Sequence, residues 1–234
     1  MTATAELVRL HVEALFTRDP RGRIAFVNEP GGDRAPRFYF ARSTTGNVWR
    51  CRDDLAADVV QALEQVASAE PVHDDLRAAP RNVDGFLAAL RIDRDRAAID
   101  SGPAYRFPEQ IAPVAATRIT RSGVHRLKRL SWDLEETQRS FEAREPFLAV
   151  LEDGAAVALC HSARLTAQAA EAGLQTLAEY RRRGHASAVT AAWALAIRAT
   201  ARIPLYSTSW GNVASQGVAR RLGLVQYGVE LSIM

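Results

Sequence analysis

The segment AEAGLQTLAEYRRRGHA (residues 170–186) carries the residues with the clearest chemical potential in this 234-residue chain. An apolar strand-like run, Ala172–Leu177, leads into Arg181-x-x-Gly184-x-Ala186, which opens onto the helical spacing Val189, Trp193, Ile197. The first amides of a helix are unpaired and sit at the positive end of its dipole. A tight loop feeding such an end is an anion site, and phosphate is the usual anion. Arg181, Arg182 and Arg183 add fixed charge suited to phosphate oxygens, and Gly184 and Ala186 leave the backbone open to a bulky ligand. By itself the pattern also describes a helix start with solvated arginines, so its context matters. A helix over about 184–199 is followed by a strand at Pro204–Thr208. Gly211-Asn212 opens a second helix that stops at Gly223, and a short strand follows at Leu224–Tyr227.

The loop and that order of elements resemble the GNAT superfamily of N-acetyltransferases, whose pyrophosphate loop reads Gln/Arg-x-x-Gly-x-Gly/Ala before a helix. The resemblance covers roughly 112–234 and is specific over 147–228. It implies acetyl-CoA as co-substrate and an amine as acceptor. It implies that Arg181, Arg182, Arg183, Gly184, His185, Ala186 and Ser187 hold the pyrophosphate. The backbone of Gln175, Thr176 and Leu177 would pair with the pantetheine arm, and Asn212 would hydrogen-bond it. Helix capping is the alternative role for Asn212.

Glu171 stands ten residues before Arg181, the offset at which the best-known relatives carry a general-base Glu. A carboxylate there would take a proton from the acceptor amine. The competing reading is an ion pair, because a tight hairpin near Ala167 sets Arg164 opposite Glu171, which would depress its pKa and weaken it as a base. The family often has a Tyr seven residues after the Asn to protonate the CoA thiolate; this chain has Ala219 there. The remaining hydroxyl candidates are Ser215, one turn earlier on the same helix face, Tyr206 and Tyr227. Cys160-His161 are strand neighbours that point to opposite faces, so they cannot pair directly. His185 is expected to contribute its N–H and face water.

Composition narrows the class. With 47% apolar residues the chain can build one large core or two small ones. Net charge is +3, and Lys128 is the only lysine. The arginines are interspersed with Asp and Glu, without basic–aromatic stretches, which argues against nucleic acid. The opening MTATAELVRLHVEAL is amphipathic with an early Glu6, unlike a secretory signal, and no run reaches membrane-span length. A cytoplasmic location is expected. Cys51 and Cys160 suggest neither a disulfide framework nor a metal cluster by spacing. No metal site and no Walker-type loop are expected.

The elements that must position this chemistry fall into two lobes. Residues 1–111 read as a smaller α/β lobe with a linker, a degenerate half-copy of the second being one possibility. It contains a helix at 3–16, a strand at Arg23–Val27, and a hairpin of Arg37–Ala41 and Val48–Arg52 around Thr44–Asn47. A helix capped by Asp53 or Asp54 runs to about Ser68, Val83–Leu90 is a shorter one, and 92–111, with Gly102, Pro103 and Pro108, is the linker. Residues 112–234 form the GNAT-like domain. It opens with a strand at Thr117–Thr120 and a helix marked by Leu127, Leu130, Leu134 and Phe141. Strands Phe147–Leu151 and Ala156–Leu165 then meet at Asp153-Gly154.

The fold class expected is α/β (α+β): a GNAT-like mixed, mostly antiparallel central sheet flanked by helices, with a smaller α/β N-terminal lobe. The function expected is direct acetyl transfer from acetyl-CoA to an amine, with the first lobe beside the acceptor cleft. Two other classes stay open: an acyl-CoA-binding regulatory module without turnover, and an unrelated α/β module whose arginine loop grips another phosphate ligand. Acceptor and oligomeric state are not legible.

Overall fold

A computed structural model describes residues 4–130 and 132–234. Helix α1 (Thr4–Leu15) buries Leu7, Val8, His11 and Val12 on one face, the spacing of an amphipathic helix. The short pair β1 (Phe16–Arg18) and β2 (Ile24–Val27) follows, then the hairpin β3 (Phe38–Ser43) and β4 (Gly46–Cys51). Helices α2 (Ala57–Ser68) and α3 (Val83–Leu90) lead to β5 (Ile99–Arg106). Next come β6 (Thr117–Ile119), a 3₁₀ run at Arg121–Leu130, and the short helices α4 (Leu134–Arg139) and α5 (Phe141–Arg144). The rest alternates: β7 (Phe147–Glu152), β8 (Ala155–Leu165), β9 (Ala169–Thr176), α6 (His185–Arg198), β10 (Ile203–Ser207), α7 (Val213–Arg221) and β11 (Val225–Ile233).

Among the described residues, nine strands join in one sheet, ordered β4-β3-β11-β5-β10-β9-β8-β7-β6. The β9–β10 pairing is parallel and the others are antiparallel, so the sheet is mixed and mostly antiparallel, flanked by helices. Strand alternation sorts the core between the two faces. Tyr39, Ala41, Ala104, Ala169 and Leu205 pack with α1, while Phe38 and Phe40 pack with α2 and α3. Tyr206, Cys160 and Ala170 pack under α6 and α7, where Val189, Trp193 and Ile197 form the buried stripe. Full burial of the Val and Ile contributes about 1.5–3 kcal/mol each. Phe147, Leu159 and Leu127 close the far end with the 3₁₀ run.

Several expected elements hold. Asp153 and Gly154 both have positive φ, 50° and 76°, as a two-residue hairpin turn requires. Gly223 is left-handed at φ +63°, and the amides of Gly223 and Leu224 bond the carbonyls of Arg220 and Ala219, closing α7 with a Schellman motif.

Others need correction. The stretch 92–111 is not merely a linker, because β5 lies between β10 and β11. Gly102 and Pro103, read as breakers, are tolerated for local reasons. A Cβ at Gly102 would run into the Thr208 carbonyl oxygen and Ser209 Cα, so the crossing backbone excludes any side chain. The β10 ladder ends at Ser207↔Ala104, so Pro103 lies beyond it. The last strand is longer than expected, because it pairs with β5 on one side and β3 on the other. The helix marked by Leu127–Phe141 is instead the 3₁₀ run with α4 and α5, and Asp133 caps α4 through the Glu136 amide. Neither Asp53 nor Asp54 caps α2, whose N-cap is Ala56; both carboxylates pair with arginines, Arg34 and Arg52 among them.

Candidate functional site

Parallel β9 and β10 pair only over Ile203↔Ala169, Pro204↔Ala170 and Leu205↔Glu171, and then part. Past Glu171, β9 keeps its ladder with β8 up to Thr176. Its other edge opens into a cleft of about 870 Å³. Ala172, Leu174, Gln175 and Thr176 line one wall; Tyr206, Ser207, Thr208 and Ser209 line the other. Unfilled backbone groups along such a split edge can pair with an extended amide-bearing ligand. Leu177 does not line the cleft; its side chain packs against the far cluster and its amide bonds Val157. The Gln175 side chain is committed to the Leu130 carbonyl and the Trp132 indole, at 2.8 and 2.6 Å.

The cleft ends at the arginine loop. Gly184 is the N-cap of α6 at φ +85°, and Arg182 also has positive φ, 62°. A non-glycine residue held there stores strain, a feature that clusters at ligand sites. The amides of 182–187 donate to no described residue, which leaves a row of donors at a helix start. Arg181, Arg182, His185, Ala186, Ser187 and Arg221 line this end. Arg183 does not; its guanidinium stacks on the Tyr180 ring, 5.0 Å from the centroid. His185 Nε2 and Thr176 Oγ1 are buried here without a partner, although the His185 residue as a whole is half-buried. Buried polar atoms left unfilled beside free amides fit a ligand rich in acceptors, as a pyrophosphate is.

Asn212 lines the cleft and caps α7, its side chain accepting from the Ser215 amide at 3.0 Å. Tyr206 and Ser215 both line the cleft, and their hydroxyls are 2.7 Å apart. Burial pushes the Tyr206 phenol up to about 12. Ala219 is buried beneath them.

Glu171 lies one layer deeper. It is 5% exposed and does not line the cleft; Ser207, which does, donates to its carboxylate. Arg164 Nε is 3.7 Å away, as the hairpin register implied, and His11 Nε2 is 3.3 Å away. Burial alone would raise the Glu171 pKa, but His11, Arg164 and Ser207 outweigh it and hold it near 2. Burial likewise opposes charge on His11, yet Glu230 and Glu171 raise its pKa to about 10. The Tyr227 hydroxyl, 2.6 Å from His11 Nδ1, is the aligned partner of that nitrogen; Glu230 Oε1, at 2.9 Å, acts as a neighbouring charge. Tyr227 is thus in this buried cluster and not in the cleft. Cys160 and His161 are buried; His161 Nδ1 lies 3.0 Å from the Gly173 carbonyl, and burial drops its pKa to about 3.

His11 and Ser207 were missed from the sequence. His11 falls on the buried stripe of α1, four residues after Leu7 and three after Val8, and a His there signals a buried partner. Ser207 gives no signal of its own. Among the described residues no group of three His, Cys, Asp or Glu is placed to hold a metal, and no helix is long and apolar enough to cross a membrane.

Residues 118–228 match the family model described as GNAT acetyltransferase. This segment belongs to the GNAT superfamily, a class of acyltransferases. Solved structures similar to the chain include a GNAT-family acetyltransferase from Colwellia psychrerythraea, at 14% identity and TM-score 0.49, covering 80% of this chain and 75% of that one. A GCN5-related N-acetyltransferase-like protein from Streptococcus suis is 15% identical at TM-score 0.48, over 64% of this chain and 68% of that chain, about two thirds of its length. A GCN5-related N-acetyltransferase from Kribbella flavida is 15% identical at TM-score 0.45, over 99% of this chain and 96% of that one. No curated protein matches the chain.

Proposed function

We propose that the chain transfers an acetyl group from acetyl-CoA to an amine by direct attack. The observation that carries this reading is the cleft where β9 and β10 part, which ends at the unpaired amides of 182–187. The loop would hold the pyrophosphate, and the free β9 edge with Asn212 would hold the pantetheine. The co-substrate supplies a reactive thioester, and the protein supplies position and proton transfer.

Tyr206 and Ser207 are consecutive on β10, so their side chains leave opposite faces of the sheet at the mouth of the split. On one face Ser207 Oγ is the group at the cleft wall, with Glu171 behind it. An attacking amine gains positive charge, which this buried carboxylate would stabilise through Ser207. With a pKa near 2, Glu171 would serve as base only after attack has begun, when the N–H is strongly acidic. On the other face the Tyr206–Ser215 hydroxyl pair would protonate the departing thiolate, in place of the tyrosine missing at Ala219. The part of the N-terminal segment outside β5 would flank the acceptor side of the cleft.

Calorimetry with acetyl-CoA tests the reading. Gly184→Asp places a side chain and a negative charge among the free amides, at a φ that only glycine adopts easily. It should abolish binding while the far-UV spectrum is kept; unchanged affinity in a folded variant would overturn the loop assignment.

A further inference from the structure

Strand β4 is the outer strand at one end of the sheet, and its free edge borders a slot of about 670 Å³. Asn47, Val48, Trp49, Arg50 and Cys51, five consecutive residues, all line it. Side chains of a strand alternate between faces, so five in a row share one space only where that space runs along the strand's edge. The Arg52 amide donates to the Arg37 carbonyl at 3.0 Å, and the β3–β4 register runs without a shift. The even-numbered residues of β4 therefore bond β3, and the odd-numbered ones point their backbone groups outward. The outward amides of Asn47 and Trp49 donate to no described residue, and no described group donates to the Asn47 carbonyl. Such an edge is a template for another strand.

The two walls of the slot differ. Arg50 shares its face with Tyr39, on the α1 side, where Arg9 and Arg18 also line the slot. Trp49 and Cys51 share the opposite face with Phe40 and Phe38, where Val60 and Glu64 of α2 line it. Arg9, Arg18 and Arg21 each have one carboxylate: Glu6 at 3.4 Å, Glu13 at 3.3 Å and Asp19 at 2.9 Å. These three arginines are exposed, and such pairs are given up at little cost. Arg23, at the end of the slot, and Arg50 have no carboxylate within 4.0 Å among the described residues; they donate to the Leu55 and Trp49 carbonyls, at 3.0 and 2.8 Å. Burial pulls the Arg50 pKa down, and beside it the charges of Arg18 and Arg9 outnumber that of Glu13. An anion on this wall relieves that repulsion, while Glu64 on the other wall repels one.

We propose that the slot takes an extended acidic peptide, which adds a strand to β4 with its carboxylates on the α1 wall and apolar side chains toward Trp49 and Val60. The alternation follows from the walls, because side chains of the added strand also point to two faces in turn. A phosphate chain has no donor for the free Asn47 carbonyl, and a peptide backbone does. A second copy of this chain is the poorer occupant, since pairing two β4 edges would bring both sets of arginines together. Strands β3, β11 and β5 lie between β4 and the pair that parts at the cleft, so this site is separate from the cleft and stands whether or not the acetyl-transfer reading holds.

The probe is acetyl-Glu-Val-Glu-Val-Glu-amide, titrated by calorimetry into the full chain at low salt. It should bind, and its counterpart with Lys in place of Glu should not. Two further peptides carry N-methyl groups, one on the Glu amides and one on the Val amides. Only one of these sets faces β4 in an added strand. One methylated peptide should therefore bind as the parent does, and the other should lose about tenfold or more in affinity. Arg50→Gln should weaken the parent about tenfold, the scale of a lost charge-assisted hydrogen bond. Arg9→Gln, at an exposed side chain that the fold does not need, is a second variant with the same direction. No binding of the parent overturns the proposal, as does unchanged affinity in both variants. Equal affinity of the two methylated peptides overturns strand addition, and equal affinity of the Glu and Lys peptides overturns the acidic partner. Displacement of the peptide by a tighter-binding oligothymidylate assigns the slot to a phosphate chain instead. A dimer of the chain that the parent peptide breaks apart in sedimentation seats a second copy on the edge and overturns the peptide as its partner.

Discussion

The His11 imidazole lies 3.3 Å from the Glu171 carboxylate, so a buried charge pair ties the first helix of the chain to the strand that feeds the cleft. Both side chains are almost fully enclosed, at 1% and 7% exposure. Tyr227 and Glu230 of β11 complete the cluster around the same ring.

Stability should therefore depend on pH from both sides. The His11 pKa is raised from 6.5 to about 10, so its contribution is complete below 6.5 and is lost as pH rises through 10. The Glu171 pKa is lowered from 4.5 to about 2, so its contribution is complete above 4.5 and is lost as pH falls through 2. Urea unfolding across pH should show greatest stability between 4.5 and 6.5, falling on either side. His11→Gln should flatten the alkaline fall and cost about 3–5 kcal/mol, the usual result of breaking a buried pair. An unchanged alkaline limb would show that His11 is neutral in the native state.

Glu171→Gln should lower turnover by about a hundredfold while acetyl-CoA affinity stays near that of wild type. Ser207→Ala should move turnover in the same direction, because Ser207 is the group that faces the cleft. Melting and kinetics measured together separate this from a purely structural ion pair, which would lower Tm and leave turnover per folded molecule unchanged.

Removing the proposed proton donor should slow release of CoA. Tyr206→Phe and Ser215→Ala should each lose about tenfold or more in kcat, and the double variant little beyond that, since the two hydroxyls act as one pair. Tyr227→Phe should instead lower Tm and spare kcat, its hydroxyl being buried against His11. Near-neutral kinetics for both Tyr206→Phe and Ser215→Ala would mean that the thiolate leaves unassisted.

Gly102→Ala should destabilise the protein by about 1–3 kcal/mol, as overpacking does, because a methyl group there meets the Thr208–Ser209 backbone. Each kcal/mol corresponds to about 2–4 °C in Tm for a chain of this size, which differential scanning calorimetry resolves. A neutral result would show that the crossing at β5 is looser than drawn.

What could be read along the chain was what neighbouring residues determine. The Arg181–Ala186 loop, the Asp153-Gly154 hairpin turn, the Schellman end at Gly223 and the stripe Val189–Trp193–Ile197 all depend on local dihedral preference and helical period. Even the Arg164–Glu171 pairing was legible, because a tight hairpin sets its own register. The same local reading failed at Gly102 and Pro103. It priced them as turn residues, whereas their place depends on a strand that crosses from residues 208–209 and on where the β10 ladder stops.

The amino-acid sequence by itself determined the Arg181–Ala186 turn at the start of α6, the order of strands and helices around it, and the alanine at position 219. Only the tertiary structure decided the partners: His11 against Glu171, Tyr206 against Ser215, and β5 between β10 and β11. A buried charge or an open strand edge is satisfied by whatever the packed sheet brings within a few ångströms. Sequence distance does not constrain that neighbour, and the partner of residue 11 lies 160 positions downstream.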